Sequence, residues 1–172
     1  MKLWFYGLIA MVMTFSVGDT MAASATSQTI YIFRHAEKVA DKPDPELSEK
    51  GLLRAIKLAD ALQQRGIQQV YATKYKRTQL TAKPLADRLA LTVETYPAGD
   101  ASQLIEQVRR QGKTTLIIGH SNTVPDLVRA AGGEAPELTE KDYGDLFEVL
   151  IEHEPSGADK ITTIKHVIGS AN

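Results

Sequence analysis

Three short stretches of the sequence carry side chains able to act on a bound anion. The first is Thr29-Ile30-Tyr31-Ile32-Phe33-Arg34-His35-Ala36-Glu37-Lys38, where an apolar run stops at an arginine and a histidine. The second is Lys74-Tyr75-Lys76-Arg77-Thr78 with Thr81 close behind, and the third is Gly119-His120-Ser121-Asn122-Thr123. Neutral imidazole is a nucleophile near neutral pH, and guanidinium binds phosphate oxygens with directed, charge-assisted hydrogen bonds. His35 is therefore the candidate nucleophile and Arg34 the group that holds the anion it attacks. Arg77 is a candidate second anion contact, and His120 a second imidazole at the same edge. Each of these residues taken singly also fits a structural role, Arg77 as a surface salt-bridging arginine and His120 as a satisfied strand-end histidine. Their recurrence at three strand ends favours chemistry.

Each stretch follows an apolar segment of strand length, which puts it at the carboxyl edge of a sheet, where open α/β sheets bind ligands. Strands are expected over 30–33, 69–73, 91–95 and 114–118. Between them the first helix is capped by Ser48, with Leu47 packing on Leu52, an inner face of Leu52, Ile56, Ala59 and Leu62, and a stop at Gly66. A second carries Leu80, Leu85 and Leu89, with a kink or restart at Pro84. Asp100 caps a third, whose inner face is Leu104, Ile105 and Val108, and Thr123-Val124-Pro125 opens a fourth that ends at Gly132-Gly133. Gly119 is expected to let the backbone pass close to a ligand. The tail reads as two strands, 145–152 and 160–167, joined by a turn, and His153 and His166 within or beside them are assigned no chemistry. The expected fold is α/β, a three-layer sandwich with a mostly parallel central sheet, helices on both faces and an antiparallel C-terminal hairpin at one edge.

With 172 residues and 43% hydrophobic content, the chain has the size of one globular domain. Its 20 basic and 21 acidic residues nearly cancel, and no basic run would track a nucleic-acid backbone. Cysteine is absent, which excludes disulfides, thiolate metal sites and a cysteine nucleophile. The histidines show no close helical pairing of the kind a zinc site uses. Ser121 lacks the second glycine of a nucleophile elbow, so serine hydrolase chemistry is disfavoured. Met1-Lys2, an apolar run over 3–17 and the small residues Ala23-Ser24-Ala25 read as a secretory signal peptide, cleaved after Ala25 or Ala23. Residues 1–25 would then be a leader and 26–172 the domain. The product would be exported, periplasmic in a Gram-negative source, without stable membrane insertion once the leader is removed.

The order and context of Arg34-His35-Ala36-Glu37, Arg77-Thr78-x-x-Thr81-Ala82 and Gly119-His120-Ser121-Asn122 resemble the histidine phosphatase superfamily, also called phosphoglycerate-mutase-like. The resemblance spans essentially the whole chain after the leader. It departs at Ala36, where many members carry glycine and exported lipopolysaccharide-heptose phosphatases carry alanine. The resemblance implies a phosphomonoesterase in which His35 is phosphorylated, Arg34 and Arg77 clamp the phosphate and His120 completes the pocket. Beside a bound phosphate, the chemistry of the ring leads one to expect His120 to be cationic and to donate a hydrogen bond. It implies no metal and no cofactor, and a small-molecule phosphoester as substrate, such as a cell-envelope phosphosugar. A phosphohistidine-protein phosphatase and a non-catalytic phospho-ligand binding protein are the alternatives. Protonation of the leaving alcohol requires an acid, for which Glu37, Glu94 and Asp100 are candidates. Glu37 is preferred because it adjoins the motif, while Asp100 is already explained as a cap.

Overall fold

Ile30, Ile32 and Phe33 are wholly buried because their strand runs between two others. The computed structural model describes residues 27–40, 43–154 and 157–169, so the expected leader and its cleavage point lie outside the described residues. Along the chain come β1 (Ser27–Arg34), α1 (Glu49–Leu62), β2 (Gln69–Ala72), α2 (Lys76–Leu89) and β3 (Val93–Thr95). They are followed by α3 (Ala101–Gln111), β4 (Thr115–Gly119), α4 (Val124–Ala130), β5 (Asp145–His153) and β6 (Asp159–Val167). The strands form one sheet in the order β3-β2-β4-β1-β5-β6. β3, β2, β4 and β1 pair in parallel, whereas β5 and β6 form an antiparallel hairpin that joins the sheet on β1.

Alternation along β1 divides the core in two, as a strand's period of two requires. Ile30 and Ile32 face α3 and α4, packing with Leu104, Ile105, Val108, Val124 and Leu127. Tyr31 and Phe33 face the opposite way, against Leu58, Leu62, Ala82 and Leu85 of α1 and α2. Helices thus cover both faces of the sheet, as the sequence pattern predicts. The β1/β4 register sets Arg34 beside Gly119, and the His35 N–H donates to the Gly119 carbonyl at 2.9 Å. His35 and His120 therefore leave the sheet side by side at its carboxyl edge.

Two helices differ from expectation. In α1 the buried row is Gly51, Arg54, Ala55, Leu58, Ala59 and Leu62. Leu52 and Ile56, expected inside, are 47% and 44% exposed. The face has turned because Arg54, a charged residue that hydropathy assigns to solvent, points inward to an ion pair with Glu37. The second difference is at Pro84, which neither breaks nor restarts α2. Proline removes one helical N–H donor there, while Ala82, Leu85 and Ala86 around it are buried.

Gly51 marks where α1 docks on the loop after the nucleophile motif. Its N–H takes the Ser48 cap, and a Cβ built on it would lie 2.1 Å from the Glu37 carbonyl oxygen. Replacing glycine by alanine inside a helix ordinarily stabilises by about 0.5–1 kcal/mol. Gly51→Ala is expected to do the reverse, costing about 1–3 kcal/mol through overpacking. A lowered urea midpoint with an unchanged slope is the expected result, and a midpoint at or above that of the parent would remove the close-approach argument.

Candidate active site

The end of β1 and the residue after it supply one arginine and one histidine. His35 is 4% exposed, and its Nδ1 lies 2.8 Å from the Ala36 carbonyl. A carbonyl only accepts, so Nδ1 carries the hydrogen and Nε2 keeps a lone pair for attack. The Ala36 peptide is itself fixed, because its N–H donates to Thr81 Oγ1 at 3.0 Å while the Thr81 hydroxyl donates to the Arg77 carbonyl at 2.7 Å. Thr81 thereby ties the nucleophile loop to the helix that carries Arg77. The Ala36 methyl is fully buried in a small cluster with Leu47 and Ala55, which accounts for a side chain at that position.

Arg34 is 1% exposed and is held by the segment before β5. Its Nη1 donates to the carbonyls of Thr139 and Asp142 at 2.6 and 3.0 Å, its Nη2 donates to Glu140 at 3.3 Å, and its Cζ stands 4.0 Å from the centre of the Tyr143 ring. Arg77, in the first turn of α2, stacks on Tyr75 at 4.6 Å and lies 3.9 Å from Asp44. The Nε of both arginines is buried without a partner, leaving open donors of the kind an oxyanion satisfies. His120 meets Arg77 Nη2 through Nδ1 at 3.4 Å and Thr73 Oγ1 through Nε2 at 2.9 Å. The two imidazoles lie 5.4 Å apart, edge to face. Gly119 has a different use from the one expected. A Cβ there would lie 2.9 Å from Thr123 Oγ1 and 3.2 Å from Val124, so the glycine admits α4 rather than a ligand.

His35, His120, Arg77, Lys38, Tyr75 and Glu140 border a cavity of about 380 Å³, whereas Arg34 lies behind its lining. Among the described residues no group of three or more His, Asp or Glu side chains is disposed to hold a metal ion. Arg77 and Lys38 are the cations that border the cavity. Burial lowers the His35 pKa from 6.5 to about 3, and the charges of Arg34 and Arg77 push the same way. His120 falls to about 4, again through burial first and then Arg77 and Arg34. In the resting pocket both rings are neutral at pH 7, while the cationic His120 expected above belongs to the phosphate-bound state. A phosphate dianion would reverse the field that His120 feels.

None of the three expected acids lines this cavity. Glu37 is turned to the other side of its loop, where Arg54 donates Nε to Oε2 at 2.9 Å and Nη2 to Oε1 at 2.6 Å, with Lys50 at 3.6 Å. Burial raises its pKa, but the Arg54 hydrogen bonds and charge outweigh that and hold the carboxyl below its usual range. Glu37 is thus an ionised structural anchor, and the preference for it as proton donor is corrected. Glu94 is exposed on β3, and Asp100 caps α3 through the Gln103 N–H at 3.4 Å. The carboxylates that do border the cavity are Glu140 and Asp126. Asp126 is paired with Arg129 at 2.7 Å. Glu140 accepts from Ser121 at 3.1 Å, and although burial raises its pKa, Arg34, Ser121 and Lys38 bring it below the usual range. Sequence reasoning missed Glu140, Tyr143, Lys38 and Thr73. Only Thr73, at the end of an apolar strand, carried a positional signal.

A family model described as the histidine phosphatase superfamily, branch 1, matches residues 30–98, the segment holding Arg34, His35 and Arg77. In fold the chain is similar to the protein histidine phosphatase SixA solved with tungstate, at 21% identity and a TM-score of 0.64, covering 81% of this chain and 96% of that one. It is similar to a mycobacterial glucosyl-3-phosphoglycerate phosphatase complexed with VO3, at 14% identity and a TM-score of 0.63, covering 82% and 99%. A phosphoserine phosphatase from Entamoeba histolytica, in complex with 3-phosphoglyceric acid, gives 13% identity and a TM-score of 0.53, covering 83% and 98%. No curated protein matches the sequence. Family match, fold and pocket agree on the class, which is that of a phosphatase. Over residues 30–98 the chain matches the histidine phosphatase superfamily, and its fold is similar to that of solved phosphatases.

The depressed histidines link stability to pH. Between their folded values of about 3 and about 4 and the unfolded 6.5, the unfolded chain binds more protons than the native state. Their contribution to stability is therefore complete above 6.5 and declines as pH falls toward the folded values. In an NMR titration the His35 and His120 ring resonances should hold their positions from about pH 8 to about pH 5. A midpoint near 6.5 at either ring would contradict the electrostatics described. A separate check concerns Glu37→Gln, which is expected to lower stability by about 1–3 kcal/mol, because Arg54 loses its charged acceptor, and to leave the acidic limb of the rate profile in place. Normal stability with turnover lost selectively for poor leaving groups would return the acid role to Glu37.

Proposed function

We propose that the chain hydrolyses phosphomonoesters through a phosphohistidine formed on His35, with no metal. The observation that carries this reading is the His35 ring, neutral and with Nδ1 committed to Ala36, presenting a lone pair beside two buried or half-buried arginines. In the first step Nε2 attacks phosphorus, the P–N bond forms and the P–O bond to the alcohol breaks. Arg34 and Arg77 offset the charge that accumulates on the phosphoryl oxygens, a contribution greatest in the transition state. Water then attacks phosphorus, the P–N bond breaks, and phosphate leaves as the imidazole is restored. Two displacements with an imidazole between them replace one direct attack by water on a dianion.

The apolar run over 3–17 and Ala23-Ser24-Ala25 support export, and with export a cell-envelope phosphosugar is the natural class of substrate. A second reading draws on Glu140 and Glu37. Both carboxylates are held ionised, so the resting pocket offers no ready proton donor to an alkoxide. Imidazole is an easier leaving group, and SixA, to which the fold is similar, is a protein histidine phosphatase. This supports phosphohistidine in a protein as the alternative substrate.

One assay tests the main reading. The protein, in chelator, is incubated with a labelled aryl phosphate, and acid-labile phosphohistidine is trapped by alkaline quench. Turnover and label should both vanish in His35→Ala, while the circular dichroism spectrum stays that of the parent. Retained turnover in that variant would remove His35 as nucleophile. Phosphate binding without turnover or label in the parent would favour a binding protein.

A further inference from the structure

His120 is held in the pocket by two buried threonines that the reaction as described does not use. Its Nε2 lies 2.9 Å from Thr73 Oγ1, and Thr73 Oγ1 lies 2.8 Å from Thr78 Oγ1. Thr78 Oγ1 in turn lies 2.9 Å from the Thr73 carbonyl and 2.7 Å from the Tyr75 carbonyl. Thr73 is 1% exposed and Thr78 is wholly buried.

The donors and acceptors around the two hydroxyls favour one direction of the chain. Thr78 is within reach of two carbonyls, which only accept, and with its proton directed to one of them its oxygen accepts from Thr73. With its own proton committed, the Thr73 oxygen must accept from His120, which places the ring hydrogen on Nε2. The opposite side of the ring agrees. Arg77 Nη2 is a donor only, so Nδ1, 3.4 Å away, presents a lone pair. The backbone makes this arrangement local. Ala72 pairs with Ile118 across β2 and β4, so Thr73 leaves the sheet close to Gly119 and His120, and Thr78 sits in the first turn of α2, whose N-cap residue makes no side-chain cap bond.

We propose that Thr73 and Thr78 are positioning residues that hold the His120 proton on Nε2, so that Nδ1 takes up one proton as a phosphate group enters. The balance is simple. A phosphoryl oxygen and Nδ1 each bring a lone pair, and one proton, carried by a monoanionic ester or drawn from solvent, comes to lie between them. The ring becomes an imidazolium donating to Thr73 from Nε2 and to the phosphoryl oxygen from Nδ1, and no ester bond changes. The charged and titratable groups facing the ring are Arg77 and Tyr75, Arg34 and His35 from the end of β1, and Glu140. The proposal deepens the phosphatase reading and rests on it for the arrival of phosphate.

The test uses the full chain, its Thr73→Val and Thr73→Ser variants, and inorganic phosphate as the probe. Imidazole ¹⁵N spectra of the resting protein report the tautomer, and calorimetry in buffers of different ionisation heat reports the protons taken up on binding at about pH 8. The expected result for the parent is a His120 hydrogen on Nε2 and uptake close to one proton. Thr73→Val should give a mixed or inverted tautomer, reduced uptake, and kcat/KM for an aryl phosphate down by about tenfold or more, and Thr73→Ser should restore all three. A parent ring protonated on Nδ1, or a folded Thr73→Val with unchanged spectrum and uptake, would overturn the proposal. Should Thr73→Val fail to fold, Thr78→Val is read by the same criteria. Because the resting spectrum needs no turnover, the expected spectrum and uptake in an inactive protein would uphold the positioning role and overturn only the phosphatase reading.

Discussion

Two guanidinium groups that cannot lose their charge are packed with two imidazoles at one end of a sheet, and their mutual repulsion constrains everything around them. Arg34 is almost fully enclosed, and the histidine rings lie 5.4 Å apart. Four cations in so little solvent would be untenable. The histidines therefore yield their protons, with values near 3 and 4, and the arginines keep theirs. The arginines that help depress the histidines are then the same cations that a phosphate dianion would meet. Lowering the histidine pKa values and compensating the substrate's charge are thus one arrangement seen from two sides.

The remaining positive charge is distributed in two matched halves. Arg34 stacks on Tyr143 and His35 packs near the same ring at 6.1 Å, while Arg77 stacks on Tyr75 and His120 packs on that ring at 5.3 Å. Such cation–π contacts stabilise by about 0.5–2 kcal/mol when desolvated, and the Nε of each guanidinium is left without a protein partner. Each arginine also has one more exposed carboxylate near it, Glu140 at 3.3 Å and Asp44 at 3.9 Å. These exposed partners contribute little to stability. The first turns of α2 then join the halves, since Thr81 bears on the peptide that orients His35 and Thr78 bears on His120 through Thr73. One helix start thereby supplies an arginine and sets the geometry of both rings.

How far the sequence disclosed this follows from which interactions are local. The strand ends at Arg34-His35 and Gly119-His120 were legible because an apolar run that halts at polar residues is a signal carried by neighbours in the chain. The two-faced sheet and the final hairpin followed from the same periodicity. The inner face of α1 was misread because Arg54 is buried by a partner 17 positions away, Glu37, and hydropathy has no way to express a paired charge. The Arg54 side chain also reaches the carbonyls of Ile168 and Gly169, a contact to the far end of the chain that no window contains. The segment from Thr139 to Tyr143 was opaque for a related reason. It works on Arg34 largely through backbone carbonyls, which every residue type provides.

The misplaced acid has the same origin and a chemical consequence. Glu37 adjoins the nucleophile in sequence, but successive residues leaving a strand diverge, and its carboxylate turns to Arg54 on the far side of the loop. That leaves Glu140 as the carboxylate paired with Arg34. Its proton affinity is set by what Arg34 sees. With Arg34 unliganded, the ion pair keeps Glu140 ionised, whereas a phosphate dianion on Arg34 would neutralise that attraction and add repulsion, raising the affinity of Glu140 for a proton. The pocket can thus generate a proton donor only once it is occupied. A leaving group that needs no proton would make the exposed Glu140 side chain dispensable, and one that needs it would tie turnover to a carboxylate that titrates only in the complex. The identity of the substrate is therefore written less in the two arginines and two histidines than in how much the reaction depends on Glu140.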